Sequence, residues 1–187
     1  MMRIISGNLK GKKISLPNDK KTRPLRDLVK ESIFNLIEHS NKFKLELNNS
    51  NILDLFSGTG SFGIECISRN AQKVTFVENY DLALNILKKN IKFLGVQDKS
   101  EIIEENCFDF FESKQFLKKK FNLIFMDPPY KEDKINLIID QIKDREILYK
   151  NGILIIHRHK KDNIDISNKL KILDERNYGI SKIIIGN

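Results

Sequence analysis

Asp127, Pro128, Pro129 and Tyr130 follow one another directly after the apolar run NLIFM (122–126). A carboxylate, two rigid residues and an aromatic ring in that order suit the activation of an amine on a nucleobase. The lone pair of such an amine is delocalised into the ring, so the nitrogen attacks poorly. An aspartate and a backbone carbonyl that both face its hydrogens localise the lone pair toward an electrophile. Asp127 supplies the first acceptor and Pro128 the second, with the Pro129 ring holding φ at about −65°. Tyr130 offers a face for the base to stack on, worth roughly 1–3 kcal/mol. Rigidity matters because a misplacement of about 1 Å costs on the order of a hundredfold in rate. The bland alternative is an ordinary Pro-Pro turn, and matching residues at three other strand ends count against it.

The stretch DLFSGTGSFG brings Asp54, Gly58, Gly60 and Gly63 together where a strand gives way to a helix. Glycines there let the backbone turn tightly and approach a ligand. No Gly-Lys-Ser/Thr follows, so this is not a Walker A loop. About twenty residues on stands Glu78, where an acid can accept from both ribose hydroxyls of an adenosine-type cofactor. Asn106, after the next strand, can accept from an adenine amine. Phe56 is a candidate lining residue of the same pocket. For Phe56 and Phe62 alike, a place in the core is the plainer expectation.

The elements that must position these residues alternate. Strands are expected at 51–56, 73–78, 100–104, 122–126 and 152–158, and helices at 61–69, 81–94, 108–119 and 132–148. The tail from Lys169 to Gly186 reads as two more strands around a turn at Asn177-Tyr178-Gly179. Strands alternating with helices make a parallel sheet covered on both faces. Ligands of such sheets bind beyond the carboxyl ends of the strands, at the switch in strand order. Residues 2–17 read as a β-hairpin. Arg23-Pro24 should be extended. Asp27 should cap a helix through His39, with Leu28, Val29, Ile33, Phe34, Leu36 and Ile37 on its buried side. The polar stretch at 46–51 divides an extension, 1–45, from a main domain, 46–187.

Of the net charge of +8, residues 1–30 hold +7, from nine basic and two acidic side chains. A basic arm of this kind suits a polyanion, nucleic acid above all. Its candidate contacts are Arg3, Lys10, Lys12, Lys13, Arg23 and Arg26. The chain has no apolar run of membrane-spanning length, and its first residues do not read as a secretory signal. Cys66 and Cys107 are too few for a disulfide framework and fit buried thiols in a reducing cytoplasm. His157 and His159 lie two apart on one strand, but no third ligand is near, so no metal is expected. The run Lys118–Lys120 suits a helix C-terminus.

This set resembles an S-adenosylmethionine-dependent methyltransferase of the Rossmann-like class I fold with an amino-methylating Asp-Pro-Pro-Tyr motif. RIISGNLKGKKISLP, TRPLRDLVKESIFNLI, ILDLFSGTGSFGIE, VTFVE, FMDPPY and RNYGISKIII are similar, in that order, to the pattern of the RsmD family, over nearly the whole chain. The resemblance implies a seven-stranded, mostly parallel sheet with an N-terminal hairpin. It implies methylation of the N2 amine of a guanine in 16S rRNA, with S-adenosylmethionine as cofactor. The expected partner is small-subunit rRNA or an assembling 30S subunit, and the expected state is a cytoplasmic monomer. The chain departs from the family pattern at Leu25-Arg26, where two threonines are usual, at Asn106 for an aspartate, and at His157 for an acid. A DNA adenine-N6 methyltransferase would use the same motif, but 187 residues leave no room for a separate target-recognition domain. A catalytically silent RNA-binding assembly factor would not need the intact motif.

Overall fold

A computed structural model describes residues 2–19, 25–112, 119–130, 132, 134–162, 166 and 168–187. The candidate Arg23, its neighbour Pro24 and Lys118 lie outside these residues, as does half of the helix expected at 108–119.

Seven strands form one sheet: β3 (Asn51–Leu55), β4 (Lys73–Val77), β5 (Ser100–Ile103), β6 (Phe121–Met126), β7 (Leu148–His159), β8 (Ile172–Tyr178) and β9 (Ser181–Gly186). Their spatial order is β5-β4-β3-β6-β7-β9-β8. The strands β3 to β7 are parallel, and β9 runs antiparallel between β7 and the edge strand β8. The order reverses between β3 and β6, so the crevice of such a sheet lies beyond Leu55 and Met126. The seven-stranded, mostly parallel architecture is the one expected from the sequence.

The period of two along each strand sorts the core into two layers. Ile52, Val74, Phe76, Phe125, Ile155 and Ile183 face one cluster. Their neighbours Leu53, Val77, Ile124, Met126, Ile156 and Ile184 face the other. The first layer is covered by α1 (Asp27–His39), α2 (Ser61–Ser68) and α3 (Asp81–Leu94), and the second by α4 (Ile135–Asp144) among others. No helix among the described residues is long and apolar enough to cross a membrane.

A separate two-stranded ribbon, β1 (Met2–Arg3) and β2 (Lys13–Ile14), pairs Met2 with Ile14. Met2, Ile4 and Ile14 join the same cluster as α1 and the sheet. The segment between the two short strands is mounted on α2. Glu65 accepts from the amides of Ile5 at 2.8 Å and Ser6 at 2.9 Å, and Ser68 accepts from that of Leu9 at 2.9 Å. Gly7 has φ +79°, and a Cβ there would sit 1.9 Å from the Ser68 carbonyl oxygen, so only glycine fits.

Several expected elements are corrected. Asp27 is the first residue of α1 and not its cap; Arg26 holds that position with no side-chain capping bond. Leu28 is 69% exposed, on the outer face, and Lys30 is fully buried in its place. The Lys30 ammonium donates to the Arg3 carbonyl at 3.1 Å and Ser61 Oγ at 3.2 Å, with Glu65 3.8 Å away. Burial lowers its pKa against the pull of Glu65 and Asp27. The periodicity that marks a buried face ranks apolar residues, so it cannot announce a buried lysine. Phe110–Glu112 forms one 3-10 turn where a longer helix was expected to begin, because Phe110 and Phe111 turn into the core. The helix end that Lys118–Lys120 was expected to cap lies outside the described residues; Lys119 itself pairs with Glu101 at 2.5 Å. Helix α4 ends at Asp144, and Leu148 already belongs to β7, opposite Phe121. In the tail, Tyr178 pairs with Ser181, so the turn is Gly179-Ile180, one step later than expected.

Candidate active site

Four strand ends converge on the crevice. After β3 the chain runs through Phe56 (φ +56°), Gly58 (φ +55°) and Gly60 (φ +82°) before α2 begins. Asp54 lies beneath this turn, 1% exposed, and its Oδ2 accepts from the Gly63 amide at 3.0 Å. Burial pushes the Asp54 carboxyl well above the usual carboxylate range; the Gly63 bond opposes this, while Asp127 and Glu78 add to it. Asp54 thus braces the glycine turn from inside the sheet. The Phe56 amide donates to Cys107 Sγ at 3.2 Å, and the half-buried Phe56 ring meets Phe108 edge to face at 6.1 Å. Burial raises the Cys107 thiol pKa, which fits an inert packing role. Phe62 is core, stacked between Phe34 and Phe125.

Glu78 ends β4. Its Oε2 accepts from the Gly58 amide at 2.7 Å, and its Oε1 from the amides of Asn79 at 3.0 Å and Tyr80 at 2.8 Å. A carboxylate has about four acceptor sites, so one direction remains for a ligand donor. The Asn106 side-chain oxygen accepts from the Phe108 amide at 2.9 Å, and the residue is exposed after β5. The buried Ser57 hydroxyl has no hydrogen-bond partner among the described residues. A buried polar atom without a partner at a glycine turn fits a polar ligand.

Asp127 directly follows β6, and two residues of β7 hold it and the carbonyls of Pro129, Tyr130 and Glu132. The register sets Met126 opposite Ile156, so the next pair along is Asp127 and His157. Phe125 and Ile155 face the same layer, and the period of two carries Asp127 and His157 to that side as well. His157 Nδ1 lies 2.7 Å from Asp127 Oδ1, and its Nε2 lies 2.9 Å from Ser181 Oγ on β9. Arg158, pointing the other way, donates to the carbonyls of Pro129 at 3.0 Å, Tyr130 at 3.2 Å and Glu132 at 2.9 Å. It also pairs with Asp162 at 2.8 Å. The Tyr130 ring stands edge-on to His159 at 5.4 Å and to His157 at 6.2 Å.

Asp127 to Tyr130, Glu78 and the glycine turn, all singled out from sequence, follow neighbouring strands of the sheet, with Glu78 bonded to the Gly58 amide and the Asp127 amide 3.5 Å from the Leu55 carbonyl oxygen. His157 had no role assigned from sequence, and Arg158 and Ser181 were missed. Their partners lie 24 to 30 residues away in sequence, and only the strand register joins them. Of the arm, Arg3, Lys10, Lys12, Lys13 and Arg26 are all exposed. No cluster of three or more His, Cys, Asp or Glu able to hold a metal occurs among the described residues.

The family model described as Conserved hypothetical protein 95 matches residues 2–187. Ribosomal RNA small subunit methyltransferase D of Buchnera aphidicola is 37% identical over 161 residues, 86% of this chain and 80% of that protein. The protein of the same name from Haemophilus influenzae is 31% identical over 180 residues, 96% of this chain and 90% of that protein. Among solved structures, HI0767 from Haemophilus influenzae superposes with a TM-score of 0.77 at 29% identity, covering 98% of this chain and 96% of that one.

Proposed function

Because the chain belongs to the RsmD family of small-subunit ribosomal RNA methyltransferases, we propose that it methylates the N2 amine of a guanine in that RNA, with Asp127 and the Pro128 carbonyl as acceptors for the amine hydrogens. The observation that carries the reading is the Asp127–Tyr130 segment, held from β7 on both sides by His157 and Arg158.

The protein is an S-adenosylmethionine-dependent methyltransferase. When bound, this cofactor supplies a methyl carbon on a sulfonium leaving group. The residues at the ends of β3, β4 and β5 fit it. Glu78 offers its remaining acceptor direction to ribose, Ser57 an unpartnered hydroxyl, Phe56 an apolar wall and Asn106 a polar edge for adenine. Gly58 and Gly60 give the backbone the positive φ that the turn requires. Asp54 shapes the turn without reaching the surface. On the other side of the crevice, Asp127 draws the amine hydrogens toward itself and localises the nitrogen lone pair. As the nitrogen gained the methyl carbon and the carbon–sulfur bond broke, the nitrogen would carry one proton too many, and the Asp127 carboxylate would be placed to take it. Arg158 engages the carbonyls of Pro129, Tyr130 and Glu132, which leaves that of Pro128 for the substrate. Tyr130 stacks on a base swung out of its helix.

Arg3, Lys10, Lys12, Lys13, Arg23 and Arg26 form the surface for RNA phosphates. Residues 1–45 act as the RNA-contacting extension and 46–187 as the catalytic domain. The substrate is small-subunit rRNA or an assembling 30S subunit, met by a monomer in the cytoplasm. The test is methyl transfer from labelled cofactor to small-subunit rRNA and to DNA, with the product nucleoside identified by mass spectrometry. N2-methylguanosine from rRNA is the expected product. N6-methyladenine in DNA, or no transfer to either, would overturn the reading.

A further inference from the structure

We infer that His157 is a positioning residue for Asp127: its Nδ1–H holds Asp127 Oδ1 so that Oδ2 faces the amine, and Ser181 fixes the tautomer that makes this possible. The inference rests on Asp127 being the amine acceptor. Its own grounds are the two contacts at 2.7 Å and 2.9 Å, the burial of His157 (5% exposed) and Ser181 (3%), and a register that brings β6, β7 and β9 side by side.

The proton assignment follows from the partners. An aspartate carboxylate can only accept, so the hydrogen in its contact sits on Nδ1. In a neutral imidazole that leaves Nε2 as an acceptor, and the Ser181 hydroxyl is the group able to donate to it. Without Ser181, the proton is free to sit on Nε2, and the ring would then turn a lone pair toward the carboxylate. The effect on Asp127 is angular. The terminal torsion of an aspartate is broad and roughly two-fold, so an unheld carboxylate sweeps its oxygens through many directions. One bond to Oδ1 fixes that torsion and commits Oδ2.

The bonding order Asp127–His157–Ser181 is also that of a hydrolytic nucleophile relay. Here it serves another end. Ser181 is buried on β9 at 3% exposure, whereas Asp127 at the other end has 20% of its side chain exposed.

Three substitutions separate this role from packing. His157→Asn places its amide where Nδ1 stood, His157→Gln places it where Nε2 stood, and His157→Phe removes both nitrogens. The readouts are single-turnover methyl transfer to small-subunit rRNA and to subunit particles, KM for the RNA, affinity for S-adenosylhomocysteine, and the thermal midpoint. His157→Phe and His157→Gln should lose on the order of a hundredfold in turnover, as expected for a misaligned catalytic group. KM and cofactor-product affinity should not move. His157→Asn should retain turnover within about tenfold of wild type, since only the Ser181 end of the relay is removed. Equal impairment of the Asn and Gln variants, or a loss expressed in KM, would overturn the assignment. Nitrogen-15 spectra of labelled histidine give a readout free of activity. The resonance absent from His157→Gln should show the Nδ1–H tautomer in wild type and lose it in Ser181→Ala; an Nε2–H tautomer in wild type would sink the inference. Asp127→Ala tells the two readings apart. If it still turns over, the role of Asp127 fails. If it is dead while His157→Phe is normal, only the role of His157 fails.

Discussion

Two carboxylates that directly follow strands of the sheet are held in opposite ways. Glu78 accepts from three backbone amides, two of them from the residues that immediately follow it. Asp127 is fixed by a histidine thirty positions away, itself fixed by a serine on a third strand. The first arrangement is local and cannot be lost by substituting its donors, because they are backbone. The second depends on side chains that one mutation removes. A group that only anchors a cofactor tolerates a generic cradle. On the proposed reading Asp127 must aim at a reacting nitrogen, and a side-chain partner gives it one fixed direction.

The largest expected effect breaks the Asp127 half. Asp127→Ala should lower single-turnover methyl transfer by on the order of a hundred- to a thousandfold, the scale for removing one preorganised group from a reacting centre. Isothermal titration with S-adenosylhomocysteine should show near-normal affinity. Near-normal turnover would remove Asp127 from the chemistry.

Glu78→Ala should do the reverse. Cofactor affinity falls by roughly 1.5–3 kcal/mol for each charge-assisted bond removed, and turnover recovers at saturating cofactor. The thermal midpoint should drop too, since three amides lose their acceptor. An unchanged affinity would mean that β4 does not end at the ribose.

Charge reversal of Lys10, Lys12 and Lys13 should spare both halves while weakening RNA binding. The slope of log affinity against log salt should flatten by roughly 0.7–0.9 for each phosphate that is no longer neutralised. Filter binding of small-subunit rRNA fragments across a salt series measures this, and equal slopes would place the phosphates elsewhere on the protein.

The smallest effect concerns Asp54, which lies between the two carboxylates and feels both. Its carboxyl is raised in the fold, so the stability it lends is present at low pH and is lost as pH rises past the ordinary carboxylate range. Asp54→Asn keeps an acceptor for Gly63 and removes the ionisation. Thermal melts against pH should show the variant gaining on wild type as pH rises, and parallel curves would refute the shift.

What the sequence made legible follows the same division. Helix α3 spans Asp81–Leu94, as its periodicity indicates, and ends at Gly95 with φ +68°. The glycine turn, Glu78 and Asp127 could be picked out because each sits beside its own strand. Lys30, His157, Arg158 and Ser181 could not, because their meaning lies in partners that only the assembled sheet brings near. The aromatic run at Phe108–Phe111 misled for a related reason. Its spacing suits a helix, but Cys107 and the β3 turn draw it into a tight turn over the core.

The mounting of the basic segment on α2 has a consequence for the order in which the molecule takes shape. Its ribbon has two residues per strand, too little to persist alone. The groups that complete it, Glu65, Ser68 and Asn70, are synthesised about sixty residues later. Contacts across such a span wait for their loop to close. The basic segment is therefore an open, highly charged chain while the residues after it are being made, and it becomes a surface only when α2 arrives to hold it.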